Sequence, residues 1–478
     1  MSKKNIFYGY LGLLVWLPLP LGSMYPWAIS MAELWCFSLA LFAILHCFKH
    51  GGVLPQSFKT ARPALLLLAL YLCWQVIQCI PLPISLLTIL SPNAAALYES
   101  SNASIVMAPI SIDTHATWLN FMEAAYLSVF FCLALYLIDS KQKIQLLVYT
   151  ILLSALAQAL YGAFMILSGI EYSFFISKQA LHSHINSATG TFLSRNTLAC
   201  YLEMSLALGI GYMLSMMKDG GGAVGWKKRA RTWSNLLLSP KARLRLILIL
   251  LCLGLVLTHS RGGNIGFFAS LTIAGIVFIL FARKKPRATV IFLTSVILLD
   301  ILLIGSWVGV SKVMTRLENT SVQTEHRDEV YAATLPMIQD YWLTGTGSGT
   351  YFEAFPAYKI PLLSGYNNHA QNDYLEILAE QGVIGFSLLA SIVLFAQFII
   401  VQTLHKRRSS MMLAMSFSSL MGIIALMIHS MVEYNLQILA NSSLFMLLLA
   451  LPMICHHLNV RSKTGKHLAH PTKGYAGC

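Results

Sequence analysis

Three arginines and two histidines stand in polar islands of an otherwise apolar chain, and their surroundings suit them to an anionic substrate and to proton transfer. Arg195 and Asn196 close the run Ala188-Thr-Gly-Thr-Phe-Leu-Ser-Arg-Asn, directly before an apolar stretch that also carries Glu203. Lipid does not solvate a cation at a helix mouth, so Arg195 either faces protein, water or an anion, or snorkels to the interface. Arg261 lies in Leu257-Thr-His-Ser-Arg-Gly-Gly-Asn, between apolar runs too close for a true loop. Gly262 and Gly263 let backbone amides approach a ligand, and the Arg fork matches phosphate oxygens. That turn is either an anion nest or a tight hairpin whose glycines only allow close packing.

Arg327 opens the run Arg327-Asp-Glu-Val-Tyr, where the charge pattern by itself describes a solvated helix face. Downstream, His369 precedes a helical pattern, with Asn372, Asp373 and Glu376 able to approach it at three- and four-residue spacing. A histidine so placed can act as a general base near neutral pH, although a lone surface histidine commonly has no such role. His429 begins the polar patch His-Ser-Met-Val-Glu-Tyr-Asn-Leu-Gln, which either joins helices or lines a cavity. His182 and His184 form an H-x-H with no carboxylate nearby, too weak a pattern for metal. With no Gly-rich phosphate loop and no D-x-D pair, neither a metal nor a cofactor is expected, and the substrate must arrive already activated.

The elements that must hold these residues are membrane helices. The chain is 56% apolar and 11% charged over 478 residues, which excludes a string of soluble domains, a disordered chain and a fibrous repeat. Twelve apolar runs can span: 6–21, 28–48, 64–80, 118–138, 144–167, 197–216, 244–257, 265–281, 288–307, 383–404, 411–431 and 438–455. Lys3 and Lys4 lead an apolar stretch that contains Pro18 and Pro20 but no small-residue cleavage site, so it reads as a first span, not a signal peptide. With the N-terminus inside, 26 of the 33 Lys and Arg fall on the cytoplasmic side. The net charge of +14 is therefore a topology signal, with membrane lipids as partner and no nucleic acid. Residues 1–308 hold nine spans, 309–381 a large outer loop with two helices (325–340 and 372–381), 382–456 three more spans, and 457–478 a basic cytoplasmic tail. The nine cysteines sit in apolar runs and show no disulfide or metal spacing.

An Arg-Asn before a mid-chain span, a Ser-Arg-Gly-Gly hairpin, one large outer loop with Gly345-Thr-Gly-Ser-Gly, and a helix led by His and Asn372-Asp-Tyr-Leu with Ala379-Glu-Gln-Gly follow one another in order. Over 189–441 this combination resembles the O-antigen ligase and polymerase superfamily. The resemblance implies an all-α integral membrane protein of about twelve spans, a glycosyltransferase of GT-C type in the bacterial inner membrane, with its active face periplasmic and both termini cytoplasmic. It implies transfer of a glycan from undecaprenyl diphosphate to an acceptor hydroxyl, without metal and with inversion. The acceptor is either lipid A core (a ligase) or a growing polysaccharide (a polymerase, with a chain-length regulator as partner). Arg195 and Arg261 would bind the diphosphate, joined by Arg327, with Asn196, Gly262, Gly263, Asn372, Glu376 and His429 in support. The family's catalytic His stands directly before Asn, a position held here by Gln371, so His369 is the expected base. A lipid-linked oligosaccharide flippase, which also uses about twelve spans, is the alternative.

Overall fold

The computed structural model describes residues 1–101, 104–170, 172–173, 175–177, 186–217, 239–283, 290–291, 294–295, 327–360 and 368–458. Most of the expected ninth span, the histidines at 182 and 184, the cations at 178, 312 and 316, and the basic tail beyond 458 lie outside the described residues.

The architecture is an all-α membrane bundle. Its helices are α1 (Lys3–Trp16), α2 (Pro26–Lys49), α3 (Gln56–Cys79), α4 (Ile84–Leu90), α5 (Pro92–Ser101), α6 (Thr114–Leu137), α7 (Lys141–Ser168), α8 (Arg195–Ser215), α9 (Pro240–Leu257), α10 (Arg261–Phe281), α11 (Arg327–Asp340), α12 (Tyr351–Ala354), α13 (Asp373–Lys406), α14 (Ser410–His429) and α15 (Leu439–His457). Two antiparallel pairs of two-residue strands, Leu82–Pro83 with Met107–Ala108 and Tyr172–Ser173 with Ile176–Ser177, lie in the segments between helices. Among the described residues nine helices are long and apolar enough to cross a membrane: α2, α3, α6, α7, α8, α10, α13, α14 and α15. Helix α1 has only 14 residues, and α9 carries Lys241, Arg243 and Arg245 in its first two turns, which shortens its apolar part.

Capping residues set where the helices begin. The side chains of Ser2, Asp113, Ser140, Ser194, Ser239, Ser260 and Asn372 each accept a backbone N–H of the first turn. Beside the Ser2 and Ser140 caps Lys3 and Lys143 pair with Asp139 at 2.7 and 3.0 Å, and Arg407 donates to the Cys455 and Leu458 carbonyls at the end of α15.

Helices α8, α14 and α15 form the buried centre, whereas α2, α3 and α6 keep broad apolar faces exposed, as lipid-facing helices do. The loop helix ends at Gly382, as the sequence leads one to expect: its φ of 61° and ψ of −172° are not helical and a side chain there would be strained, so α13 is two helical parts, 373–381 and 383–406, joined at a break. The reason is the loop turn docked there, since a Cβ on Gly382 or on Gly345 would overlap the other segment's backbone. Glu380 fixes the same turn by accepting Gly349 N–H and Tyr351 N–H, both at 3.0 Å. The loop turn at 345–351 is thereby locked to the helix that follows it.

Candidate active site

Four helix starts meet on one segment, His429–Gln437, which links α14 to α15 through the short 3-10 turn Asn435–Gln437. From α8, Asn196 donates its amide to the Glu433 carboxylate. From α10, the first turn lies so close that a Cβ on Gly262 would stand 2.8 Å from His429 Cδ2 and 3.0 Å from Val432 Cγ2. From α11, Arg327 donates to Glu433 Oε1 at 2.5 Å and to the Val432 carbonyl at 2.6 Å. From α13, the Asp373 N–H donates to the Ser430 and Glu433 carbonyls, and the Asp373 carboxylate accepts Leu436 N–H at 3.1 Å. Helix starts carry partial positive charge and unpaired N–H groups, so their convergence favours an anion.

The arginines differ in what they are committed to. Arg327 is engaged by Glu433, which is 2% exposed; burial pushes the Glu433 carboxyl up from its usual value and the Arg327 guanidinium opposes that. Arg195 is half-buried at the start of α8, beside the Ser194 cap. Arg261 is exposed at the start of α10 and makes no ion pair among the described residues. A bidentate fork free to meet an incoming anion is therefore available at Arg261.

His369 lies in the non-helical approach to α13, not on the helix. Its Nδ1 meets Glu376 Oε1 at 2.8 Å, Glu376 Oε2 accepts Ala370 N–H at 2.8 Å, and the ring stacks on Tyr434 at 4.2 Å between centroids. Burial works to lower the His369 imidazole, but the Glu376 carboxylate, with Glu380 and Asp373 behind it, wins and holds it above the ordinary histidine value. Among the described residues His369 Nε2 has no hydrogen-bond partner, and the side chain is 23% exposed. This is a histidine oriented by a carboxylate on one nitrogen and open on the other.

Two residues from His369, Gln371 adopts φ 56° and contributes its backbone carbonyl to the Tyr331 hydroxyl at 3.0 Å. Asn372 caps α13 through Oδ1 and donates Nδ2 to the Met431 carbonyl at 2.9 Å. His259, two residues before Arg261, repeats the pattern with φ 53° followed by the Ser260 cap. A non-glycine residue in the left-handed region costs about 1–3 kcal/mol, and here that strain lies immediately before the two helix starts that carry Arg261 and the His369 segment.

His429 is wholly buried, with Nδ1 3.1 Å from Glu203 Oε1. Cys200, Glu203 and His429 place ligand-type atoms within 4.8 Å of one another. Gly262, Gly263 and Gly266 pack against this group, so the glycines of the Arg261 turn admit the His429 ring and the Glu203 carboxyl.

The structure thus brings Asn196, Gly262, Arg327, Asn372 and His429 onto one segment, with Arg195 and Arg261 at the ends of the same helices and His369–Glu376 stacked against it through Tyr434. Asp373 acts on His369 by charge, as expected of a neighbour, while its carboxylate accepts its hydrogen bond from Leu436 N–H. Glu433 and Tyr434 carry much of the convergence but were not singled out in the sequence. Their only signal there was membership of a polar patch.

Residues 246–390 match the family model described as O-Antigen ligase. These residues form a domain of the O-antigen ligase family. The O-antigen ligase domain takes in α10, α11, the His369 segment and the first half of α13, and so contains Arg261, Arg327, His369, Asn372 and Glu376. Arg195, Glu203, His429 and Glu433 reach it from outside the matched stretch. The match supports glycosyl transfer of the O-antigen ligase or polymerase type, with lipid-linked polysaccharide substrates in a membrane. It does not favour the flippase alternative. No curated protein matches the chain.

Proposed function

We propose that this protein is a glycosyltransferase of GT-C type on the periplasmic face of the bacterial inner membrane, moving a glycan from undecaprenyl diphosphate to an acceptor hydroxyl. The acceptor is lipid A core or a growing polysaccharide chain. One observation carries the reading: a carboxylate-held histidine with an open nitrogen shares one segment with helix starts that bear three arginines. Twelve spans, counted from α1–α3, α6–α10, α13–α15 and the apolar run of the sequence at 288–307, keep both termini on one side, and the Lys and Arg bias supports the cytoplasm as that side.

In this mechanism His369 Nε2 takes the proton of the acceptor hydroxyl as its oxygen attacks the anomeric carbon. The bond to the diphosphate oxygen breaks, and the electron pair leaves with the diphosphate. Arg261 and Arg195 take up the charge that develops there, assisted by the N-terminal dipoles of α8 and α10. Arg327 acts by way of Glu433, fixing α11 to the segment. A single displacement inverts the anomeric centre, and the charge is neutralised by arginines without a metal. The test is glycan transfer in purified membranes from undecaprenyl-diphosphate donor. Loss of transfer in His369→Ala and Arg261→Ala at normal protein level is expected; full activity in either removes that residue from the site.

A further inference from the structure

The start of α11 touches two stretches of chain at once, the approach to α13 that carries His369 and the segment His429–Gln437. Arg327 and Tyr331, four residues apart on one face of the helix, make the contacts. Arg327 gives both ends of its guanidinium to the segment: one terminal nitrogen donates to the Val432 carbonyl at 2.6 Å and the other to Glu433 Oε1 at 2.5 Å. The Tyr331 hydroxyl lies 3.0 Å from the Gln371 carbonyl, on the His369 side, and 3.5 Å from the Met431 carbonyl, on the segment side. Asn372 closes the same gap, donating Nδ2 to the Met431 carbonyl at 2.9 Å. Val330 and Met337 of α11 share an apolar cluster with Ala370, the residue after His369.

What these contacts enclose is the stack of His369 on Tyr434, with 4.2 Å between ring centroids and 13° between planes. Tyr434 directly follows Glu433, so the carboxylate that Arg327 holds is one residue from the ring that faces the base. Glu433 is 2% exposed. Taking the guanidinium away would leave a buried carboxylate short of its counter-charge, which the segment relieves by moving towards water, and Tyr434 would move with it. A guanidinium grips a phosphate through two parallel N–H bonds, and in Arg327 both terminal nitrogens are already directed at the protein.

We propose that Arg327 is a positioning residue for the base: acting through Glu433 and Tyr434, it fixes the His369 ring where proton transfer needs it, and it is not a diphosphate ligand. This role rests on the proposed function of His369 as base, and it divides the three arginines by task. Arg195 and Arg261 meet the donor's anion, whereas Arg327 serves the removal of the acceptor's proton. The flat face of Tyr434 lets the imidazole slide or turn only in its own plane, and Glu376, 2.8 Å from Nδ1, stops that turn. Nε2 is then held in one direction, as a base that must meet one hydroxyl requires.

The experiment reads the His369 ring and the reaction separately. The full-length protein in lipid nanodiscs is treated with diethyl pyrocarbonate, which acylates an unprotonated imidazole nitrogen. Modification of His369 is timed by peptide mass spectrometry against His405, an exposed histidine at the far end of α13. Arg327→Gln and Tyr434→Leu should each free the ring and speed its modification several-fold, with His405 unchanged. The double variant should be no faster than either alone, because both break one chain of contacts. Tyr434→Phe, which keeps the stacked ring, should bring the rate back to that of the native protein. In glycan transfer Arg327→Gln should lower kcat by roughly 10- to 100-fold, within reach of a misplaced general base, while the KM for the undecaprenyl-diphosphate donor stays as it is. A native rate of His369 modification in Arg327→Gln would overturn the proposal, as would a raised donor KM at native kcat. Should the glutamine variant misfold, seen as a changed His405 rate, Arg327→Lys gives the same readings, since it keeps a counter-charge for Glu433 but reaches one acceptor instead of two. If His369→Ala transfers glycan at full rate, the base assignment fails, whatever holds the ring. If His369→Ala is inactive and Arg327→Gln is modified at the native rate, the positioning role fails and the base assignment stands.

Discussion

The two histidine–carboxylate pairs use the same contact, Nδ1 to Oε1, in opposite surroundings. His369 and Glu376 meet at 2.8 Å on a non-helical approach, with the imidazole reachable from outside and stacked on Tyr434. His429 and Glu203 meet at 3.1 Å with neither side chain exposed, under the glycines of the Arg261 turn. A proton acceptor must reach its substrate, so only the first pair can serve as base. The second has both its remaining ring nitrogen and its remaining carboxyl oxygen sealed from solvent, and it acts on position: it is the surface on which the start of α10, and therefore Arg261, is seated.

The comparison breaks most readily at His369. His369→Ala should lower glycan transfer by roughly 10² to 10⁴-fold, whereas Gln371→Ala should lose much less, since Gln371 contributes a backbone carbonyl that alanine retains. Were Gln371→His to exceed the native rate while His369→Ala kept it, the base would belong at 371.

How far these roles could be read in advance follows from where the information sits. Apolar runs mark membrane helices because lipid demands them locally, and so α2, α3, α6, α7, α8, α10, α14 and α15 were legible. The break at Gly382 was legible too, from the glycine itself, but the Gly345 turn that docks against it was not, because that turn comes from elsewhere in the chain. Arginine in an apolar surrounding is conspicuous by its cost, which is why Arg195 and Arg261 stood out. Glu433 is not conspicuous in that way. Its importance comes from Asn196 and Arg327, which are 237 and 106 residues away in sequence, and no local pattern encodes such a meeting. The Asn372 cap could be read from residue type; that Asp373 would accept from Leu436 N–H could not.

The arginine side of the comparison should come next in size. Arg261→Ala is expected to remove about 2–4 kcal/mol of transition-state stabilisation, read as kcat/KM, and Arg261→Lys should recover only part of it, because a point charge does not replace a bidentate fork. Equal rates for the lysine variant and the native enzyme would mean that charge alone matters there.

Glu203→Gln keeps the shape of the sealed pair and removes its charge. A cost of about 1–3 kcal/mol in stability is expected from the poorer match to His429 Nδ1, seen as a lower melting midpoint. The folded enzyme should show a raised KM for the donor, from a displaced Arg261, more than a reduced kcat. A collapse in kcat at unchanged KM would make Glu203 part of the chemistry and erase the distinction between the two pairs.

The finest test asks whether Glu376 tunes His369 as its contact implies. A general base works unprotonated, so kcat/KM should rise as pH climbs through the His369 pKa. In the native protein burial lowers that pKa, but the Glu376 carboxylate, by charge and by hydrogen bond, raises it above the ordinary value. Glu376→Gln keeps a hydrogen-bonding side chain and removes the charge, so the lowering effect of burial is opposed by less. The acidic limb of the pH–rate profile should therefore move to lower pH, even though the plateau rate falls because a weaker base takes the proton less readily. A limb that stays in place would show that the rate is governed by another group, and a limb that moves to higher pH would mean that Glu376 does not hold His369 in its charged form. The corresponding substitution in the sealed pair, Glu203→Gln, should leave the limb where it is, because His429 exchanges no proton with the substrate.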